Sequence, residues 1–302
     1  IYIYIVKLNP DGSLDSGFGS GGIITVGDGD SQQAQSVQNT VDGGYIVGGY
    51  TTANGGDMYI VKLNANGSLD SNFGTNGIAT FGDSGDQWCY SIETTTDGGY
   101  IAAGETDANG GDAYIVKMDG SGVVSDSEPE TPPVTGSWST VSESNISGAK
   151  SGSNWQAIIS SADGTKLLAS AWDMPVVYAS NDSGSTWTTY SAPAGFYSMA
   201  ASSDNSKIVA ASTNAVYVST DYGQTWTYKA VAGISQVRDL ASSADGTKLA
   251  LVDNSSSGYI YTSSDSGNTW VQRASAGFKQ WSDIDSSADG TKLAAVASGG
   301  YI

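Results

Sequence analysis

Short runs of β-branched and aromatic residues alternate along the whole chain with turns that are rich in Gly, Asp and Asn. Typical runs are Tyr-Ile-Val at residues 4–6, Leu-Leu-Ala at 167–169 and Val-Val-Tyr at 176–178. Runs of this kind, bounded by turn residues, predict short β-strands. The sequence offers no amphipathic stretch of useful length with helical spacing. The pattern therefore predicts an all-β chain.

One family of repeats occupies the first part of the chain. The sequence Tyr-Ile-Val-Lys-Leu-Asn at residues 4–9 recurs at 59–64 and, altered at its end, at 114–119, so both steps are 55 residues (59 − 4 and 114 − 59). The Asp-Gly-Gly-Tyr sequence at 42–45 recurs at 97–100 with the same step. A fixed period of this length is typical of repeat architectures.

A second family of repeats follows residue 138. Ser-Ser-Ala-Asp-Gly-Thr-Lys-Leu at 160–167 recurs at 242–249 and 286–293, and in looser form around Lys207. The lysines of these four copies are 41, 41 and 44 residues apart (207 − 166, 248 − 207 and 292 − 248). Between them lies a motif, Ser-x-Asp-x-Gly-x-Thr-Trp, which occurs three times. Its main residues are Asp182, Gly184, Trp187, Asp221, Gly223, Trp226, Asp265, Gly267 and Trp270.

The repeats predict a β-propeller of about six four-stranded blades, since each unit of 40–55 residues holds about four strand-like runs. The blades open near Ala34, Cys89, Trp155, Phe196, Val237 and Trp281. The last unit is incomplete, and the strand-like runs at 4–9 and 22–26 supply what it lacks. Shared N- and C-terminal strands would then close one ring. The alternative is that similar strands at both ends belong to a longer array, or pair between subunits.

Composition divides the predicted ring into two halves. Residues 1–124 hold the 55-residue repeats, and residues 138–302 hold the shorter ones. Between them, residues 125–137 are rich in proline and acidic residues. This segment is expected to be a linker or an inter-blade loop.

Charge and composition exclude several classes of function. The 302 residues include no His and one Cys, and 12 Lys+Arg stand against 31 Asp+Glu, for a net charge of −19. Without His, a Ser-His-Asp or Cys-His nucleophile and a His-ligated zinc are excluded. An acidic chain binds nucleic acid and anionic membranes poorly. No run of 18 apolar residues is present, so no membrane-spanning helix is expected.

The Ser-x-Asp-x-Gly-x-Thr-Trp motif resembles the Asp-box, or BNR repeat, of sialidase-like propellers. The resemblance covers residues 138–302 and implies a structural turn between the third and fourth strands of a blade, away from the active face. Sialidases need three arginines to bind a carboxylate, and this chain has only Arg238 and Arg273. The 55-residue units resemble uncharacterised bacterial extracellular repeats that are predicted propellers.

Asp-box propellers also include glycanases that use paired carboxylates. Asp239, Asp283 and Asp285 lie near the starts of predicted strands and are the candidate catalytic acids. The alternative is that these acids are solvated or bind turn amides.

Two further kinds of site are candidates. Aromatic residues near the blade openings predict a ligand-binding face, although they also suit the space between blades. These residues are Trp88, Trp155, Phe196 and Trp281. Acidic loops 55 residues apart predict a structural calcium site, although they also suit ordinary turns. The calcium candidates are Asp28, Asp30, Asp83 and Asp86.

The sequence thus favours a non-catalytic extracellular or cell-surface propeller that works as a structural or recognition module. Expected partners are a protein or a glycan, with self-association through the terminal strands and without a cofactor other than calcium. The alternative is an Asp-box glycoside hydrolase that acts on a polysaccharide through paired carboxylates.

Overall fold

A computed structural model of the chain describes residues 2–27, 31–52, 56–82, 85–95, 97–107, 112–124 and 154–297. In these residues the regular structure consists of 23 β-strands and a short 3₁₀ helix, Ala274–Ala276. The first nine strands are β1 Ile3–Leu8, β2 Ile23–Val26, β3 Gln32–Asn39, β4 Tyr45–Thr51, β5 Met58–Leu63, β6 Ile78–Phe81, β7 Gln87–Thr94, β8 Tyr100–Thr106 and β9 Asp112–Met118. The next eight are β10 Trp155–Ser160, β11 Leu167–Ala171, β12 Val176–Ser180, β13 Thr188–Ser191, β14 Ser198–Ala201, β15 Ile208–Ser212, β16 Ala215–Ser219 and β17 Thr227–Lys229. The last six are β18 Val237–Ser242, β19 Leu249–Asp253, β20 Ile260–Ser263, β21 Val271–Gln272, β22 Trp281–Ser286 and β23 Leu293–Ala297.

The strands form six antiparallel sheets, which are the blades of a β-propeller. In chain order, blade 1 is β3–β6, blade 2 is β7–β9, blade 3 is β10–β13, blade 4 is β14–β17, blade 5 is β18–β21, and blade 6 is β22, β23, β1 and β2. Five blades have four strands, and blade 2 has three in the part of the chain that the structure describes. Inner strands of successive blades are neighbours from blade 3 through blade 6, and on through blade 1 to blade 2. The predicted all-β propeller of about six blades is confirmed.

Blade 6 joins the two ends of the chain. Strand β1 pairs with β23 on one edge, with Tyr4 opposite Ala297, and with β2 on the other, with Ile3 opposite Val26. The predicted closure by shared terminal strands is therefore confirmed. Both edges of β1 are hydrogen-bonded within the same chain.

The core lies between neighbouring blades, where buried side chains of adjacent sheets pack together in five clusters. Between blades 1 and 2, Ile46 and Ile60 pack against Ile92, and all three are fully buried. Burying one such side chain contributes about 1.5–3 kcal/mol. The single cysteine, Cys89, belongs to this layer and faces Gly48, where a Cβ would lie 2.7 Å from the Cys89 Sγ. Burial raises the pKa of the Cys89 thiol to about 12, so it is a core residue and not a nucleophile.

The loops that join first to second and third to fourth strands all lie at one end of the ring, named here the loop face. In the Asp-Gly-Thr-Lys loop of blade 3, Asp163 accepts hydrogen bonds from the Thr165 amide and the Ser161 hydroxyl. Lysines of these loops connect neighbouring blades: the Lys207 ammonium donates to the Asp245 carbonyl, and that of Lys248 to the Asp289 carbonyl. Because the lysine recurs in each repeat, the same contact between neighbouring blades recurs around the loop face.

The Ser-x-Asp-x-Gly-x-Thr-Trp motif also forms loops on this face, between the third and fourth strands of blades 3, 4 and 5. In blade 4, Asp221 accepts hydrogen bonds from the amide of Thr225 at 2.9 Å and from its hydroxyl at 2.6 Å. Tyr222 and Gly223 both have positive φ, 59° and 83°. Because side chains disfavour that conformation, glycine suits the second position. The other two copies repeat these bonds through Asp182 and Asp265.

Candidate binding site at the mouth of the central channel

The inner strands of all six blades line one central channel. They enclose a cavity of about 590 Å³, and each of β3, β7, β10, β14, β18 and β22 contributes residues to its wall. Ligand cavities are commonly of this size, and in ring-shaped folds they form where many elements converge. The channel is therefore the candidate functional site.

A β-bulge lies near the start of five inner strands, and the sixth, β14, has an equivalent arrangement. In β18, for example, Val237 opposes Asp253 and Asp239 opposes Val252, so Arg238 has no partner on β19. Four other inner strands have the same shift, and each has one residue that is omitted from the strand register. These residues are Gln35, Tyr90, Gln156 and Ser282. Bulges re-aim side chains next to functional sites.

In blade 4 the corresponding residue is Tyr197. Its amide donates to the Ala211 carbonyl, while Ser198 is also paired with Ala211, so two residues oppose one. The six bulge residues all line the cavity and together form what is named here the channel mouth: Gln35, Tyr90, Gln156, Tyr197, Arg238 and Ser282. Each lies directly after a blade-opening residue. The sequence analysis missed them, although that fixed position is a signal that locates them.

An exposed aromatic pair lies at the channel mouth. Trp172, which follows β11, stacks on Tyr197 with ring centroids 6.0 Å apart and an angle of 13° between the planes. The two side chains remain 45% and 36% exposed. Tyr90 is exposed on the mouth as well, and its hydroxyl donates to Glu105. Large exposed aromatic groups beside polar ones are typical of binding surfaces.

The candidate catalytic acids lie deeper in the channel and link neighbouring blades. The Asp239 carboxylate of blade 5 accepts hydrogen bonds from the Ser198 hydroxyl of blade 4 at 2.9 Å and the Ile284 amide of blade 6 at 3.2 Å. In the same way, Asp283 of blade 6 accepts from the Val37 amide of blade 1 at 2.6 Å. These are structural contacts between blades.

A third aspartate continues the series. Asp285 accepts hydrogen bonds from the Asn39 amide at 2.8 Å and from its side-chain amide at 2.6 Å. Thus all three acids already bind amide or hydroxyl groups of neighbouring blades, and the amides belong to inner strands and not to turns.

The channel wall raises the pKa of its carboxyl groups. For Asp283, burial in the wall and the negative charge of Asp239 raise the pKa well above its usual value. Burial also raises the pKa of Asp285, although hydrogen bonds from Asn39 oppose the effect. Burial, together with the charge of Asp285, raises the pKa of Glu93. The channel is thus an environment in which negative charge is unfavourable.

Two of the four aromatic residues that the sequence proposed as a ligand face lie in the core. Phe196 and Trp281 are fully buried, in the cores between blades. Trp155 packs against Tyr178 with centroids 5.0 Å apart, and Trp88 is partly buried. For Phe196 and Trp281 the structure corrects the expectation, because both fill space between blades, whereas the residues directly after them line the channel. For Trp88 and Trp155 it stays a prediction.

The predicted calcium site lies largely outside the described residues, since these do not include Asp28, Asp30 and Asp83. The fourth candidate, Asp86, donates its amide to the Asp107 carboxylate at 2.6 Å. Within the described ranges, no three His, Cys, Asp or Glu residues are grouped to hold a metal ion. A search of the same ranges for a helix with the length and hydropathy of a membrane span was negative.

Comparisons with known proteins agree with the fold. A family model described as a domain of unknown function (DUF5122) beta-propeller matches residues 2–18 and 42–73. No curated protein matches the chain. The six sheets define the protein as a β-propeller, and the family model matched by part of the chain describes the same fold.

Several solved structures are similar. The first is YCF48 bound to D1 peptide, with 18% identity and a TM-score of 0.35; the match covers 42% of this chain and only 44% of that chain. Sqt1 from Chaetomium thermophilum has 13% identity and a TM-score of 0.46, with 86% of this chain and 76% of that chain covered. The Cps50 (Swd1) beta-propeller domain of Myceliophteria thermophila has 12% identity and a TM-score of 0.45, with 91% and 98% covered.

Proposed function

We propose that this protein is a non-catalytic recognition module, located outside the cell or at its surface, that binds a protein or glycan partner at the channel mouth. The observation that carries the proposal is the stacked pair of Trp172 and Tyr197, which remains exposed beside a cavity of about 590 Å³. Exposed aromatic side chains supply large contact areas with little loss of conformational entropy. The bulge residues around the pair supply hydrogen-bonding groups for specificity.

The contacts of the channel acids favour binding over hydrolysis. A glycosidase needs one carboxyl group free to donate a proton and another free to act as base or nucleophile. Asp239, Asp283 and Asp285 instead accept hydrogen bonds from neighbouring blades. These contacts support a structural role for the three residues that were the candidates for catalysis.

The loops of blades 3 to 5 fit the same proposal. We take the Ser-x-Asp-x-Gly-x-Thr-Trp loops to be Asp-boxes, since Asp182, Asp221 and Asp265 all bind their own turn. They lie on the loop face, opposite the channel mouth. An acidic surface, with a net charge of −19, suits a secreted protein that must stay soluble. Self-association through the terminal strands, also expected from the sequence, requires β1 to leave β2 and β23.

The experiment is a binding screen on defined peptide and oligosaccharide arrays. The wild-type protein is compared with a double variant, Trp172→Ala and Tyr197→Ala, and with the control Tyr228→Ala. Tyr228 is also an exposed aromatic residue, but it lies on β17, the outermost strand of blade 4. We expect the double variant to lose at least about tenfold in affinity, or ~1.4 kcal/mol, for any array member that binds. Equal binding by the double variant, or an equal loss in Tyr228→Ala, contradicts the proposal.

A further inference from the structure

One carboxylate in the channel is free to bind a ligand. Glu93, on the inner strand of blade 2, lines the cavity and is exposed to it. Within the described parts of the chain, its carboxylate takes part in no hydrogen bond and no ion pair. The three aspartates of the channel wall differ, because each is hydrogen-bonded to a neighbouring blade.

The ion pairs of the described residues all lie on the loop face, where lysines bind aspartates. They are Lys7–Asp15, Lys62–Asp42, Lys62–Asp70 and Lys117–Asp97. Within the described wall of the cavity, by contrast, Arg238 is the single basic residue, and it stands at the mouth. The acids of the channel therefore outnumber its cations.

Glu93 lies in an environment that favours a cation. Both burial and the neighbouring charge of Asp285 raise the pKa of the Glu93 carboxyl group. The negative charge of Glu93 is therefore not compensated by a positive charge in the described part of the channel. A positive group beside Glu93 would gain electrostatic energy that no residue of the wall now supplies. Asp285 would add to this attraction, since its charge already acts on Glu93.

The arrangement suits an organic cation better than a metal ion. The described carboxylates include no group of three that is close enough to hold a metal. Glu93 lies three residues beyond the bulge residue Tyr90 on the same strand, which is about 10 Å at the usual rise of a β-strand. A long aliphatic stem bearing an ammonium or guanidinium group spans much of that depth, with its apolar part against the aromatic side chains of the mouth.

We propose that the central channel binds an alkylammonium or guanidinium group, which enters past Trp172, Tyr197 and Tyr90 and pairs with the Glu93 carboxylate. This inference rests on the proposed recognition function and names the chemistry of its ligand. A lysine or arginine side chain of a partner peptide and a free polyamine carry the same group, and the experiment separates the two sources.

The probes are acetylated and amidated heptapeptides that differ only in the central residue, which is lysine, arginine, norleucine or citrulline. Free spermidine is the second source. Binding is measured by isothermal titration at neutral pH and fixed salt. We expect the lysine and arginine peptides to bind at least tenfold more tightly than norleucine and citrulline peptides of nearly the same shape. Spermidine that binds as tightly as the peptides identifies the free amine as the ligand class.

The decisive variant is Glu93→Gln, which keeps the size of the side chain and removes its charge. We expect it to abolish the preference for cationic peptides. The matched control is Asp97→Asn, which removes one negative charge from the same blade, but on the loop face. This control should keep the preference, because its effect is limited to the general attraction of an acidic protein for cations.

The outcomes distinguish the inference from the function on which it rests. Equal binding of lysine and norleucine peptides, or an unchanged preference in Glu93→Gln, overturns the cation site while the recognition function stands. The same holds if only neutral oligosaccharides bind. If no probe binds and the arrays also show no ligand, both proposals fail. Circular dichroism of Glu93→Gln verifies that a loss of binding is not a loss of fold.

Discussion

The aspartates of the loop face and those of the channel are the same residue type in opposite settings. On the loop face, Asp163 binds the amide of Thr165, two residues away, and its turn lowers the pKa of the carboxyl to about 2. In the channel, Asp283 binds the amide of Val37, 246 positions away, and the wall raises its pKa. One group is stabilised by its own turn, whereas the other holds two blades together at an electrostatic cost.

The difference shows that burial and hydrogen bonding compete at each carboxyl group. Exposed loop acids lose little hydration and gain charge-assisted hydrogen bonds, so the charged form is favoured. In the channel wall, the loss of hydration and the neighbouring acids outweigh the bonds from amides. The same substitution, Asp→Asn, should therefore have opposite effects on stability in the two regions.

The largest effect is expected at Asp42, which binds the buried Lys62. The Lys62 ammonium is 2.7 Å from Asp42 and 3.6 Å from Asp70, and its side chain is 1% exposed. Burial alone would raise the pKa of Asp42, but bonds from Lys62, Thr40 and Gly44 lower it to about 2. In Asp42→Asn, the only carboxylate left near the ammonium is the more distant Asp70. We expect a loss of about 2 kcal/mol in the free energy of unfolding, since removing one partner of a buried pair is costly.

The matched control is Asp97→Asn, 55 residues further along. Asp97 accepts the equivalent bonds from Thr95, Gly99 and Lys117, but this lysine is 62% exposed. Its loss should lower the midpoint of urea denaturation only slightly. The deficit of Asp42→Asn should shrink as pH falls from 4 towards 2, because a lowered pKa stabilises the fold only while the acid is ionised. Equal losses in the two variants would contradict a role for lysine burial.

A smaller effect is expected from Asp221→Ala in blade 4. The Asp221 carboxylate accepts bonds from the Thr225 amide and hydroxyl and from the Ser219 hydroxyl. We expect a loss of about 1.5 kcal/mol, at the lower end for bonds to a charged group because the loop is partly solvated. Thr225→Val removes the hydroxyl bond alone and should cost less. If Thr225→Val costs as much in urea denaturation, the loop is not held by the carboxylate.

The turns of the loop face could be predicted from the sequence because the hydrogen bonds within each turn are local. Asp163 and Thr165 are two residues apart, so the fixed spacing of the motif already implies the turn. Closure of the ring also followed from the sequence, since the runs at 4–9 and 22–26 match the strands that the last unit lacks. Local spacing and strand type thus determine the blades and their loop-face turns.

The contacts in the channel could not be predicted from the sequence in the same way. The bond from Val37 to Asp283 depends on closure of the whole ring, and no local pattern encodes it. For aromatic residues, the sequence singled out Phe196, whereas its neighbour Tyr197 faces the channel. Successive residues of a strand point to opposite faces, so an error of one position exchanges core for surface. Trp172 belongs to no repeat and gave no signal.

The smallest expected effect, and the one with opposite sign, concerns Asp283→Asn. The asparagine oxygen still accepts the Val37 amide bond, while the variant lacks the charge that burial and Asp239 disfavour. We expect a gain on the order of 1 kcal/mol at pH 7, because the variant removes an unfavourable buried charge and single substitutions commonly change stability by about this much. Urea denaturation at several pH values measures it.

The pH dependence decides whether charge is the cause. A raised pKa means that the folded protein holds the Asp283 proton more tightly than the unfolded chain, so the contribution of Asp283 to wild-type stability falls as pH rises above about 4. The advantage of Asp283→Asn should therefore vanish near pH 3, where Asp283 is protonated in both states. Asp42→Asn, tested in parallel, should show a loss at pH 7 that also fades at low pH. A gain for Asp283→Asn that persists at pH 3 would mean that packing, and not the charge in the channel wall, separates the two regions.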